Sequence, residues 1–193
     1  MSLQTWQETL ITSQVDGVAL TNSTAATSLL GAAGTGASHA KLTLPANYFS
    51  IGKMLRISAF GRISTVVTTP GTLTLDLRFG AVIVANGGAM SLNAVAKTNV
   101  PWWLELILTC RAIGSGTIAN LMPQGVWQSE AVIGAPLPTA GGNGSLLIPV
   151  GAPVVGTGFD STAAQQIDLF GTWSIANAAN SILVHQYSIE SLN

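Results

Sequence analysis

Apolar and polar residues alternate with period two through most of the chain, the pattern of half-buried β-strands. In KMLRISAFGRISTVV, residues 53 to 67, Leu55, Ile57 and Ala59 fall on one face and Arg56 and Ser58 on the other. In TLTLDLRF, residues 72 to 79, Leu73, Leu75, Leu77 and Phe79 point one way and Thr72, Thr74, Asp76 and Arg78 the other. The intervening TTPGT supplies a Pro-Gly turn, so these two strands are expected to pair as a hairpin. A second hairpin is expected in AVIVANGGAMSL, residues 81 to 92, turning at Asn86 and Gly87. A third joins QIDLFGTWSI to SILVHQYSIESL through ANAAN near the C-terminal end. No helix longer than two turns is expected; STAAQQ, residues 161 to 166, has room for one short turn.

The stretch VPWWLELILTCRA, residues 100 to 112, carries the strongest pattern. Trp102, Leu104, Leu106, Leu108 and Cys110 share one wholly apolar face, while Trp103, Glu105, Ile107 and Thr109 share the other. Such a strand belongs in the middle of a sheet whose second side is also partly covered. Pro101 is expected at its first position, where no ladder donor is lost. The stretch therefore reads as a wall of the core. Its rival reading makes Trp102 or Trp103, with Trp127, a stacking platform for a sugar ring or a partner contact, and exposure of the indoles decides between them.

Two segments differ. Residues 12 to 40 are rich in Thr, Ser, Ala and Gly with weak periodicity, which suits an extended arm. Residues 131 to 159 contain no charged residue and are dense in Gly and Pro; a strand is expected inside them at SLLIPV, with loop tips at TAGGNG. No repeat or linker divides the rest. The chain reads as an N-terminal arm, 1–40, and one all-β, antiparallel sandwich domain, 41–193.

Composition changes this picture in one respect. Only 8% of the 193 residues are charged, seven Lys and Arg against eight Asp and Glu, where about 25% is usual. A folded surface of roughly 8,600 Å² would then carry about one charge per 570 Å², and a net charge of -1 provides little repulsion between copies. Much of that surface is expected to be covered by copies of the chain or by a partner. The mean hydropathy of +0.47 is high, yet no window approaches the ~20 apolar residues that span a bilayer, so no membrane partner is expected. The opening MSLQTWQETLITSQVDG has no basic and apolar leader pattern, which points to synthesis in the cytoplasm. Cys110, the single cysteine, is expected to be a buried inert thiol. Lys and Arg are scattered singly, which argues against nucleic acid as a partner.

Candidate chemistry is thin. His39 and His185 lack a second ligand at metal-binding spacing. Asp160 and Asp168 are a conceivable acid and base pair of a polysaccharide hydrolase, assembled in space, for which a separation above ~10 Å would exclude the usual geometries. GAAGTG, residues 31 to 36, lacks the strand and helix that a phosphate-binding loop needs. The local signatures of nucleotide, serine-hydrolase and zinc-protease sites are missing. The expectation is a protein that is not an enzyme and uses no cofactor or metal.

Several whole segments together resemble a known group. LTLPANYFSIGKMLRISAFGRIST, PGTLTLDLRFG, NGGAM, KTNVPWWLELILTCRAIG and WSIANAANSILVHQYSIESLN are similar to virion structural proteins of tailed bacteriophages, over most of residues 40 to 193. The resemblance implies a jelly-roll-like β-sandwich, assembled as a homotrimer and displayed on the virion as a capsid decoration or head-fibre component. Its partners would be the major capsid protein or other virion proteins. No functional residue is carried over, because the resemblance rests on no chemical motif. Alternation alone leaves jelly roll, other sandwich and trimeric β-prism open, and trimer over dimer comes from the resemblance only. The rival function is a tail-associated receptor- or carbohydrate-binding module built on Trp102, Trp103, Trp127 and the PTAGGNG loop.

Overall fold

The computed structural model describes residues 7–31, 41–134, 145–149 and 151–193. The N-terminal segment contributes β1 (Glu8–Thr12), β2 (Leu20–Thr21), β3 (Thr27–Ser28) and β4 (Leu42–Leu44). The long strands β5 (Met54–Thr65) and β6 (Thr72–Phe79) follow, then β7 (Val82–Asn86), β8 (Met90–Leu92) and β9 (Lys97–Ala112). The chain continues through β10 (Asn120–Ser129), β11 (Val132–Gly134), β12 (Ser145–Ile148), β13 (Gln165–Trp173) and β14 (Ser181–Ser191). Every regular element among the described residues is a strand.

Two antiparallel sheets pack face to face. Sheet one runs β1, β14, β5, β9, β10, β12, with β2 also on β14; sheet two runs β11, β8, β6, β13, β3, with β4 on β13 and β7 on β6. An early and a late strand pair in each layer, β5 with β14 and β6 with β13, so each sheet of the sandwich joins strands far apart in sequence. Sheet one faces inward with Leu55, Ile57, Ala59, Ile63, Leu104, Leu106, Leu108, Ile182 and Val184, and sheet two answers with Leu73, Leu75, Leu77, Phe79, Ile167 and Leu169, all buried. Each fully buried aliphatic side chain of this size contributes about 1.5–3 kcal/mol. At one end Phe49, Phe79 and Phe159 close the core edge to face, with the Phe79 and Phe159 ring centroids 4.9 Å apart.

The alternation read from β5, β6 and β9 is present as expected, with one exception: Asp76, on the outward face of β6, is buried. The hairpins are not where the turn signals put them. β5 and β6 lie in different sheets, so TTPGT carries the chain from one layer to the other. The same is true of β13, ANAAN and β14. An inward-facing row has the same period whether its partner lies beside it or across the core, so the pattern cannot separate the two cases. The expected turn at Asn86 and Gly87 is an interruption in a strand: β7 and β8 both lie along β6, and the hairpin is β6 to β7, with Phe79 opposite Val82. Gly87 donates its N–H to Leu75 O at 2.9 Å. A Cβ there would stand 2.6 Å from that oxygen, which is why glycine occupies the break.

Pro101 is the fifth residue of β9, not its first. It pairs with Arg62 of β5, and β10 has already ended, with Ser129 opposite Trp102. Ser129 Oγ donates to Pro101 O at 2.9 Å, so the proline backbone faces the side where no ladder donor is required. The strand expected at SLLIPV is β12, paired with β10. STAAQQ holds a turn in which Thr162 N–H donates to Asp160 Oδ1 at 2.8 Å. The described arm residues add strands to both sheets of their own chain, and Leu20, Leu29 and Leu30 enter the core.

Candidate functional site

Position on β9 and β10 decides the fate of the three tryptophans. Trp102 and Trp127 are 2% and 0% exposed, so neither offers a ring face to a surface ligand. Trp102 lies over the bare backbone of Gly61 and donates its indole N–H to Leu183 O at 3.1 Å and Arg62 O at 3.2 Å. Trp127 fills the core with its indole N–H unpaired. Trp103 stands on the outer face of sheet one, half-buried. Its register partner is Phe60, 43% exposed, and the two rings lie 6.2 Å apart and 10° from parallel. Cross-strand aromatic pairs of this kind add about 0.5–1.5 kcal/mol beyond area burial.

Phe60 is the centre of a built surface that sequence reasoning missed. Strand registers set Gln186, Phe60, Trp103 and Gln128 in one row across β14, β5, β9 and β10. The adjacent row places Thr12, Ser188, Ser58 and Glu105 side by side. Gln186 reaches this face through a bulge. Register slips between Val184 and Gln186, so Ile182 and Val184 point inward before it and Tyr187 and Ile189 after it. Three shallow depressions meet at Phe60: one of about 620 Å³ towards Trp103, Gln128 and Glu130, one of about 440 Å³ towards Arg62 and His185, and one of about 290 Å³ towards Ser58, Thr12 and Ser188.

The outer face of sheet two holds charge under cover. Asp168 accepts from Lys41 Nζ and from Ser28 Oγ, both at 2.8 Å. Arg78, opposite Asp168, pairs with Asp76 at 3.1 Å and lies 4.2 Å from the centre of the Phe170 ring. Asp76 Oδ1 and Arg78 Nε are buried without partners. Burial pushes the Asp76 carboxyl above the usual aspartate range, against the lowering effect of Arg78. These four charges balance and tie the N-terminal segment to β6 and β13.

Asp160 and Asp168 have separate partners. Asp160 is solvated, and its hydrogen bonds from the Thr162 hydroxyl and nearby backbone N–H groups hold it below the ordinary range. His185 meets Asp16 at 2.9 Å on the surface. Burial raises the pKa of the Cys110 thiol, the condition of an inert buried cysteine. His39 and the TAGGNG tips lie outside the described residues, as does GAAGTG beyond Gly31.

Exposed apolar side chains occur at both ends of the sandwich, as well as at Leu147 on β12 and at Val154 and Val155. Ile51 and Ile113 flank the antiparallel strands β5 and β9 at one end, with Ile118 beside them; Val67 and Val95 flank the same strands at the other. Ile118 and Val95 are 63% and 64% exposed. β9 has 16 residues, which separates the two ends by about 50 Å.

No helix among the described residues is long and apolar enough to cross a membrane. No protein-family model matches the sequence, and no curated protein matches it. Among solved structures the chain is similar to the CBM2 module of the evolved Dit of Lactobacillus casei BL23 phage J-1, with a TM-score of 0.34 and 13% identity, over 79% of this chain and 69% of that one. Agreement this loose transfers no property to this chain.

Proposed function

We propose that this chain is a structural protein of a tailed-bacteriophage virion, a capsid decoration or minor capsid protein that clamps neighbouring shell subunits. The observation that carries the proposal is the pair of apolar ends about 50 Å apart on a sandwich whose surface is poor in charge. A molecule with two such ends is suited to bridging. Aliphatic tips gain by leaving water on both sides of a joint, and few charges have to be desolvated when they do. Each contact is small, and an array of copies gains strength by multivalency. Assembly as a homotrimer would cover further neutral surface and protect the sheet edges at β1 and β12.

The resemblance of residues 40 to 193 to virion structural proteins supports the same reading. Immunogold labelling of purified particles tests the location: label on heads supports the proposal, and label confined to tails supports the rival role as a tail-associated receptor- or carbohydrate-binding module. Light scattering across a dilution series tests the trimer; a persistent monomer rejects it.

A further inference from the structure

We propose that the outer face of sheet one, centred on Phe60 and Trp103, is a binding site for an uncharged oligosaccharide. The site is on the side of the sandwich, away from the apolar ends, so it does not depend on where the protein sits on the particle.

Three features select this ligand class. Phe60 and Trp103 give two nearly parallel rings next to open depressions, and an aromatic face packs well against the C–H face of a sugar ring. Beside them the row Thr12, Ser188 and Ser58 presents hydroxyls, with the amide of Gln186 at its border. Among the described residues no hydrogen bond holds the side chains of Ser58, Ser188 or Gln186, which leaves donors and acceptors free for ligand hydroxyls. The charged side chains of this face, Arg62 and Glu130 at the margin and Glu105 beside Ser58, are of mixed sign with the carboxylates in excess, which disfavours an acidic ligand.

Shape adds the length. The depressions join at Phe60 and cross β14, β5, β9 and β10, a span of about 14 Å at ordinary strand spacing. That suits several linked sugars better than one, and an open surface better than an enclosed pocket. The β14 bulge is part of the device, since it is what turns Gln186 outward beside Phe60.

The test is binding of the purified full chain to an array of neutral, sialylated and sulfated glycans, followed by titration of the best neutral oligosaccharide. The site predicts retention of neutral glycans and a loss of about tenfold or more in affinity for Phe60→Ala, with Trp103→Phe weakened less than Trp103→Ala. Gln186→Ala, at an exposed position, is expected to weaken binding without changing the melting temperature. Ile118→Ser, at the apolar end, should leave glycan binding unchanged. Absence of any neutral ligand overturns the proposal, and so does binding that survives both Phe60→Ala and Gln186→Ala. Neither result bears on attachment to the head.

Discussion

Asn180 donates its side-chain amide to the carbonyl oxygen of Pro70 at 3.1 Å, and the same carboxamide accepts from Val66 N–H at 2.9 Å. Residues 66 to 71 connect β5 to β6 and residues 174 to 180 connect β13 to β14, so one fully buried side chain fastens the two crossings between the layers. Asn180→Ala leaves a buried donor and acceptor without partners, at a cost of about 2–4 kcal/mol. For a cooperative domain of this size the melting temperature should fall by roughly 4–12 °C. A shift within error would show that the crossings need no such fastening.

Trp127 is the test of the wall. Because it fills the core, Trp127→Ala should cost about 3–5 kcal/mol. Trp127→Phe should cost clearly less, since it keeps most of the ring volume and removes a buried indole N–H that has no partner. Chemical denaturation of both variants checks the order. Equal and small losses would place the indole at the surface instead.

Asp76 sets an acid dependence. Its raised pKa means that the folded chain holds this proton more tightly than the unfolded chain. Its contribution to stability is therefore complete below the unfolded value of about 3.9 and is lost as pH rises through the folded value. Asp76→Asn should gain on the wild type between about pH 4 and about pH 7, measured as the difference in unfolding free energy at the two ends. A difference that does not change with pH, or changes the other way, contradicts this.

Gly61 allows Trp102 to cross β5. A Cβ at this position would lie 1.8 Å from Leu183 O and 2.8 Å from Trp102 Nε1, and the first of these is backbone that cannot move aside. Gly61→Ala should destabilise the fold by about 3 kcal/mol or more. A variant as stable as the wild type would show that β14 can shift away from β5 locally.

The faces of the strands were legible in the sequence because period two is a local property: Leu55 to Ala59, Leu73 to Phe79 and Trp102 to Cys110 are buried on the faces that alternation assigned. Partners were not. TTPGT and ANAAN look like hairpin turns but cross between layers, and the contact that fastens one crossing to the other, from Asn180 at the end of ANAAN to Val66 and Pro70, joins residues more than a hundred positions apart. NGG looked like a turn because its residues favour positive φ; Gly88 has φ +77° within a broken strand. Trp103 could be separated from Trp102 by parity. Its companion Phe60 could not be found, because the register between β5 and β9 is set by the whole sheet. The bulge that delivers Gln186 and the cover that buries Asp76 are likewise products of tertiary packing, with no signature in the residues around them.

The most direct test of the clamp is cosedimentation of the protein with heads that lack it, for the wild type and for variants at each end, Ile118→Ser with Ile51→Ser and Val95→Ser with Val67→Ser. The account predicts saturable binding of the wild type to heads and not to tails. It also predicts a loss of about tenfold or more in affinity for each pair of changes, as expected when two exposed aliphatic contacts are removed. Heads that take up no protein, or that bind the variants as tightly as the wild type, would contradict it.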